Sequence, residues 1–213
     1  MTSFLQSLPP EFLPDFLAGM LVNFRIAGIA LVLGLAFGFL LARARLGGRI
    51  AAGAAMPVVG LMRAAPTFVV MFFLLNAIPP DAAVLGFSVA PSGIMTVALS
   101  LVPYAAAYVA DNGVEALQQL RRGSSHAALL FLPNVTRVFL VLVMSSSTGA
   151  AIGVPEGIAV ILLAADHVSS LGEKLAIFAF GIFCFGIVLQ AGFGLMNLLH
   201  RRLGVLVTRR RAA

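Results

Sequence analysis

The sequence contains no tryptophan, one cysteine and few charges: only 10% of its 213 residues are Asp, Glu, Lys or Arg. A soluble domain carries about a quarter charged residues and is about half apolar. Here 61% of the residues are hydrophobic and the mean hydropathy is +1.05, so the main solvent of this chain is lipid. A single cysteine, Cys184, excludes an internal disulfide, and its apolar neighbours make it a small hydrophobe. Without tryptophan, any interfacial aromatic belt must use Phe and Tyr. The one lysine, Lys174, follows no glycine-rich phosphate loop, so any ATP chemistry must lie on another chain. His126, His167 and His200 are scattered, without metal-ligand spacing. No Ser-His-Asp set or carboxylate pair falls at membrane depth, which argues against an intramembrane enzyme. The N-terminal stretch has no basic region and carries Glu11 and Asp15, unlike a cleaved signal peptide.

What the sequence does have is long apolar runs. Five of them, at about 17–42, 51–78, 89–110, 129–152 and 175–199, can each cross about 30 Å of hydrocarbon as a helix. They predict an all-α polytopic membrane protein, with residues 1–213 forming one transmembrane domain. The runs lack the polar–apolar alternation of barrel strands. Pro57, Arg63 and Pro66 predict a kink or an irregular turn in the second run. Residues 157–165 are apolar but too short to span, and read as an interfacial or re-entrant segment outside the membrane.

The net charge is +6, and its distribution gives the orientation. Arg43, Arg45, Arg49, Arg121, Arg122, Arg201, Arg202, Arg209, Arg210 and Arg211 fall on one side. Lys174, with Glu11, Asp15, Asp81, Asp166 and Glu173, falls on the other. The arginine side is cytoplasmic by the positive-inside rule, with the N-terminus outside and the C-terminus inside. Basic residues confined to short loops do not make a nucleic-acid surface.

Some residues within the apolar runs stand out. Gly34 with Gly38 and Gly149 with Gly153 are each spaced by four, as in close helix packing. Ser145, Ser146, Ser147 and Thr148 put four hydroxyls in the outer half of the fourth run, with Glu156 just beyond. Two readings of the hydroxyls stand side by side. They line a solute path, or they bond back to carbonyls one turn earlier. Glu156 is either part of that path or a solvated loop carboxylate. Arg25 is placed to snorkel outward. Arg63 and Arg137 are placed to snorkel inward or to cap carbonyls.

Several segments, in order, resemble the permease subunits of bacterial ABC importers for polar amino acids. Gly19 to Arg43 resembles that family's first helix, with a polar pair at Asn23 and Arg25. Leu61-Met62-Arg63-Ala64-Ala65-Pro66-Thr67 resembles its R-G-T-P motif. Ala98-Leu99-Ser100 and Ala107-Tyr108-Val109-Ala110-Asp111 resemble A-L-S and A-Y-x-A-E. Ile152-Gly153-Val154-Pro155-Glu156 resembles I-G-V-P-E, and His200-Arg201-Arg202-Leu203 resembles E-R-R-L. The resemblance covers nearly the whole chain. It implies a type I ABC importer permease fold in the bacterial inner membrane and transport of amino acids or similar small polar solutes. It also implies two separate ATPase subunits carrying ATP and Mg, a periplasmic solute-binding protein, and no cofactor in this chain.

The same resemblance places a cytoplasmic coupling loop at 111–130. Arg121, Arg122, Gly123, Ser124, Ser125, His126, Ala127 and Ala128 fall where the family begins its coupling helix, the element that docks on the ATPase. His126 stands in place of that motif's glutamate. Leu132-Pro133-Asn134 follows about a dozen residues early, so the element is shortened. An alignment through Glu115-Ala116-Leu117 moves this gap without removing it. The family's K-D-T-S falls on Met144-Ser145-Ser146-Ser147, without its charged pair. Both departures favour a heterodimer with a second permease subunit over a homodimer. Two other classes remain: a non-conducting assembly subunit, and an ATP-independent channel or carrier. The latter usually places paired charges or broken helices at mid-membrane.

Overall fold

A computed structural model describes residues 11–79, 81–84, 87–88, 90–124 and 131–209. The fold is all-α and polytopic. Four helices are long and apolar enough to cross a membrane, or five when a pair bent by 95° is counted as one broken span. The elements are α1 (Phe12–Arg45), α2 (Arg49–Ala64), α3 (Thr67–Ala77), β1 (Ala83–Val84), β2 (Phe87–Ser88) and α4 (Gly93–Arg121). After them come α5 (Phe131–Ser145), a 3-10 segment (Ser146–Ile152), α6 (Gly157–Asp166) and α7 (Leu171–Arg209). The two short strands pair antiparallel in a hairpin, Ala83 opposite Ser88 and Val84 opposite Phe87. This is a feature that the apolar runs do not announce.

Helix α4 is the centre of the molecule. Its buried face includes Val97, Ala98, Leu101, Ala105, Ala106, Val109 and Ala110. Ser92 caps its start, accepting from the Met95 amide, as a short hydroxyl does at the orphan donors of a first turn. α1 lies along α4 in the same direction, because small residues on both sides let the backbones meet. A Cβ added at Gly34 would sit 2.4 Å from Ala105 Cβ, and one at Gly38 would sit 2.6 Å from the Ala106 carbonyl oxygen. That pair serves packing, as its spacing suggests. The second pair divides its roles. Gly149 lies against Val154 and Val97, whereas Gly153 has φ +79 and closes the 3-10 segment. Only a residue without a Cβ takes that left-handed turn readily.

The second apolar run breaks at Pro66. α2 and α3 meet at 95°, with Ala65 extended at ψ 115, the conformation that a following proline imposes. Pro57 stays inside α2. The fourth crossing begins as α5 and finishes in the 3-10 segment. The run at 157–165 forms α6, which is not an isolated surface segment: Ile161, Ala164 and Ala165 are buried against α1 and α7. α7 runs through Arg209 and continues well past the apolar run read there.

Candidate functional site

In the N-terminal half of α1, a closed polar cluster joins three parts of the chain. Asn23, Ser146 and Glu156 are each 0% exposed. Asn23 Nδ2 donates to Ser146 Oγ and to Glu156 Oε2, both at 2.8 Å. Asn23 Oδ1 accepts from the Gly157 amide at 2.9 Å. Glu156 caps α6, accepting from the Ile158 amide at 3.0 Å and the Ala159 amide at 2.9 Å. Ser146 Oγ donates to the Val143 carbonyl at 2.7 Å. A carboxylate at a helix N-terminus satisfies orphan donors and meets the positive end of the helix dipole. Burial nevertheless pushes the Glu156 carboxyl above the usual carboxylate range, against the lowering effect of its hydrogen bonds.

This geometry corrects the reading of Glu156 as a solvated loop carboxylate. The residue is held inside, because three N–H donors converge on it. It also shows the back-bonding expected of the hydroxyl run: Ser146 and Thr148 both donate to carbonyls three residues earlier, the spacing of a 3-10 turn. Ser145 and Ser147 are half-buried, with Ser147 Oγ 3.5 Å from Asn23 Nδ2. The four predicted path residues thus lie on one stretch, but Ser146 and Glu156 face Asn23 and α6. No buried side-chain N or O atom lacks a partner among the described residues.

A second polar site lies at the arginine-rich end. Asp111 on α4 accepts from Arg45 Nη1 at 2.7 Å and is also paired with Arg63 Nη2. Arg63 is therefore an ion-pair partner rather than a free snorkelling cation, because Asp111 lies within its reach. Asn134 Nδ2 donates to Asn112 Oδ1 at 2.8 Å, tying the first turn of α5 to α4. Arg25 and Arg137 are both exposed, as snorkelling requires.

The predicted loop at 111–130 begins later than its boundary, since α4 continues through Arg121. Arg122 ends the helix and Gly123 follows at φ +78. The Ser124 amide donates to the Gln119 carbonyl at 2.9 Å and the Gly123 amide to Leu120 at 3.0 Å. This paired closure fixes the direction in which the chain leaves α4. Arg121 and Arg122 are exposed there, with Ser124 half-buried. Ser125, His126, Ala127 and Ala128 lie outside the described residues.

Asn23, Asp111 and Asn112 carry both sites, yet the sequence alone does not mark them as contact residues. The available signals are a lone amide in an apolar run, and the acid that ends the Ala107-Tyr108-Val109-Ala110-Asp111 segment. No group of three or more metal-ligating side chains occurs among the described residues.

The chain superposes on a chain in the crystal structure of an amino acid ABC transporter with histidines. The TM-score is 0.64, the match covers 90% of this chain and 95% of that one, and the identity is 16%. At that identity the likeness is one of fold. No protein-family model matches the sequence, and no curated protein matches it.

Proposed function

We propose that this chain is the transmembrane permease subunit of an ATP-driven importer for amino acids or similar small polar solutes. The observation that carries the proposal is the superposition, along nearly its whole length, on a chain of an amino acid ABC transporter. The ordered sequence motifs support the same reading. In this reading two separate ATPase subunits bind ATP and Mg at the cytoplasmic face, and the segment 121–128 docks on one of them. A periplasmic binding protein delivers solute from outside. A second permease subunit completes the path, a heterodimer being favoured by the short coupling turn. The chain sits in the bacterial inner membrane, carries no cofactor of its own and performs no catalysis alone. Of the residues assigned to the solute path, Ser145, Ser146, Ser147 and Glu156, the half-buried Ser145 and Ser147 face the solute in this reading, and the buried Ser146 and Glu156 support that stretch from behind.

The test is purification of the tagged chain from its native membrane, followed by reconstitution in liposomes. The expected result is co-purification with an ATPase and a second permease, and uptake of a labelled amino acid that depends on internal ATP. A chain that comes out with no nucleotide-hydrolysing partner would refute the proposal.

One observation favours a second reading, that of a non-conducting assembly subunit. Ser146 and Glu156 spend their hydrogen bonds on Asn23 and on backbone groups, so neither is left open toward a solute. Replacing Ser145 and Ser147 with Ala separates the two. Unchanged uptake by an intact complex selects the assembly role.

A further inference from the structure

The last helix, α7, has two faces with opposite surroundings. One packs on the rest of the chain. A Cβ added at Gly181 would sit 2.5 Å from Ile161 Cδ1, and one at Gly192 would sit 3.4 Å from Leu140 Cδ2. Ile177 and Leu189 are buried on the same side. The other face is uncovered. An added Cβ at Gly186 or at Gly194 meets nothing within 4 Å, and Phe183 and Ile187 are 64% and 51% exposed. Gln190 stands midway between those two glycines, nine positions after Gly181. At about 100° per residue it points to the side opposite the packed one. Phe183, Gly186, Gln190 and Phe193 line a surface groove of about 610 Å³ there. Gln190 is the anomaly of this face. It is exposed, and its carboxamide makes no hydrogen bond among the described residues. It also lies deep: about 24 Å along the helix from Lys174 and about 16 Å from the Arg201 position, at about 1.5 Å per residue. That is well inside a hydrocarbon core about 30 Å thick. Lipid tails offer a carboxamide no hydrogen bond. An apolar helix face needs no cover in lipid, but this amide does, and such side chains bond across to a neighbouring helix.

We propose that this face of α7 is where the chain meets the second permease subunit, with Gln190 hydrogen-bonded to a side chain on one of that subunit's transmembrane helices. The inference rests on the importer reading above and deepens it by naming the contact face. In that reading only the two permeases are embedded in lipid. The ATPases and the binding protein work from the two aqueous sides and do not reach this depth, so the partner of the amide is a permease helix. It presents an amide or hydroxyl at the level of Gln190. The open glycines one turn to either side let its backbone come close. A passing solute would satisfy the carboxamide only while bound, whereas a subunit contact satisfies it throughout the cycle.

The experiment uses the complete complex, purified from its native membrane through a tag on this chain. The benzophenone analogue of phenylalanine replaces Phe183 or Phe193, and ultraviolet light should join either position to the second permease. Gln190→Leu should lower recovery of that permease with the tagged chain by about three- to tenfold, the scale of one interhelical hydrogen bond in lipid. Gln190→Asn, which keeps a carboxamide, should restore most of it. Gly186→Leu, which fills the groove, should lower recovery at least as far as Gln190→Leu. Both positions are exposed in this chain, so both variants should keep the wild-type circular dichroism. Cross-links to lipid alone, or to another copy of this chain, overturn the proposal. Full recovery of the second permease with Gln190→Leu overturns it as well, and if uptake is then lost, Gln190 belongs to the solute path. A wild-type complex that holds its ATPase and second permease but cross-links elsewhere removes this contact alone. Absence of both partners from the wild-type preparation removes the importer reading itself.

Discussion

Asn23 offers a carboxamide whose two ends are both used. Its nitrogen reaches Ser146 and Glu156, and its oxygen receives the Gly157 amide. Replacing it with Leu would leave a buried N–H and a buried carboxylate oxygen without this partner. Each such group costs about 1–3 kcal/mol, so Asn23→Leu should lower stability by about 2–4 kcal/mol. Unfolding of the protein in detergent, followed by circular dichroism, measures it. A loss under 1 kcal/mol would mean that the cluster is not closed. Glu156 adds a pH dependence whose sign is fixed. Its folded pKa is raised by burial, so above the ordinary carboxylate range the unfolded chain binds fewer protons than the folded one. Stability therefore falls as pH rises from that range through the raised value, and is retained below it. The slope should flatten in Glu156→Gln, read as unfolding midpoint against pH. None of this is legible from Asn23 alone. An amide in an apolar run announces that a partner is needed, but the partners lie more than 120 positions away, and only the fold brings them near.

At the scale of elements, close approach of α1 and α4 depends on two glycines. A side chain at Gly38 would meet the Ala106 carbonyl and Val109, and overpacking of this kind costs about 1–3 kcal/mol. Gly38→Leu should therefore destabilise by about that much. Gly28, where an added Cβ meets nothing within 4 Å, provides the contrast. Gly28→Ala should be neutral or stabilise by up to about 1 kcal/mol, since alanine favours helix. Equal losses at both positions would remove the packing argument. Here the sequence was informative. Spaced glycines and long apolar runs predict helices that touch, and both do so at Gly34 and Gly38. It misled at Gly153, because the same spacing arises when a glycine ends a helix instead of packing one. The break of the second crossing at Pro66 rather than Pro57 was also hidden. A proline within a helix is tolerated where a neighbour donates to the carbonyl it leaves free, and sequence does not reveal those neighbours.

For the whole molecule, charge is the strongest guide. Arg43, Arg45 and Arg49 gather at the α1–α2 turn, and Arg121 and Arg122 at the end of α4. A cysteine at Ser124 should react with a membrane-impermeant maleimide only in inside-out vesicles, and one at Asp81 only in right-side-out vesicles. The reverse pattern would invert the orientation and detach the segment 121–128 from any cytosolic partner. Helix count followed from hydrophobic length, which is a local property, whereas which helices pack together did not. The two polar clusters did not, since each is assembled from at least three separated segments.

The seven residues Ser146–Ile152 are wound as a 3-10 helix rather than an α-helix. At about 2.0 Å per residue against about 1.5 Å, such a winding is about 3 Å taller for the same chain. The fourth crossing therefore reaches through a thicker slab of lipid than its residue count implies.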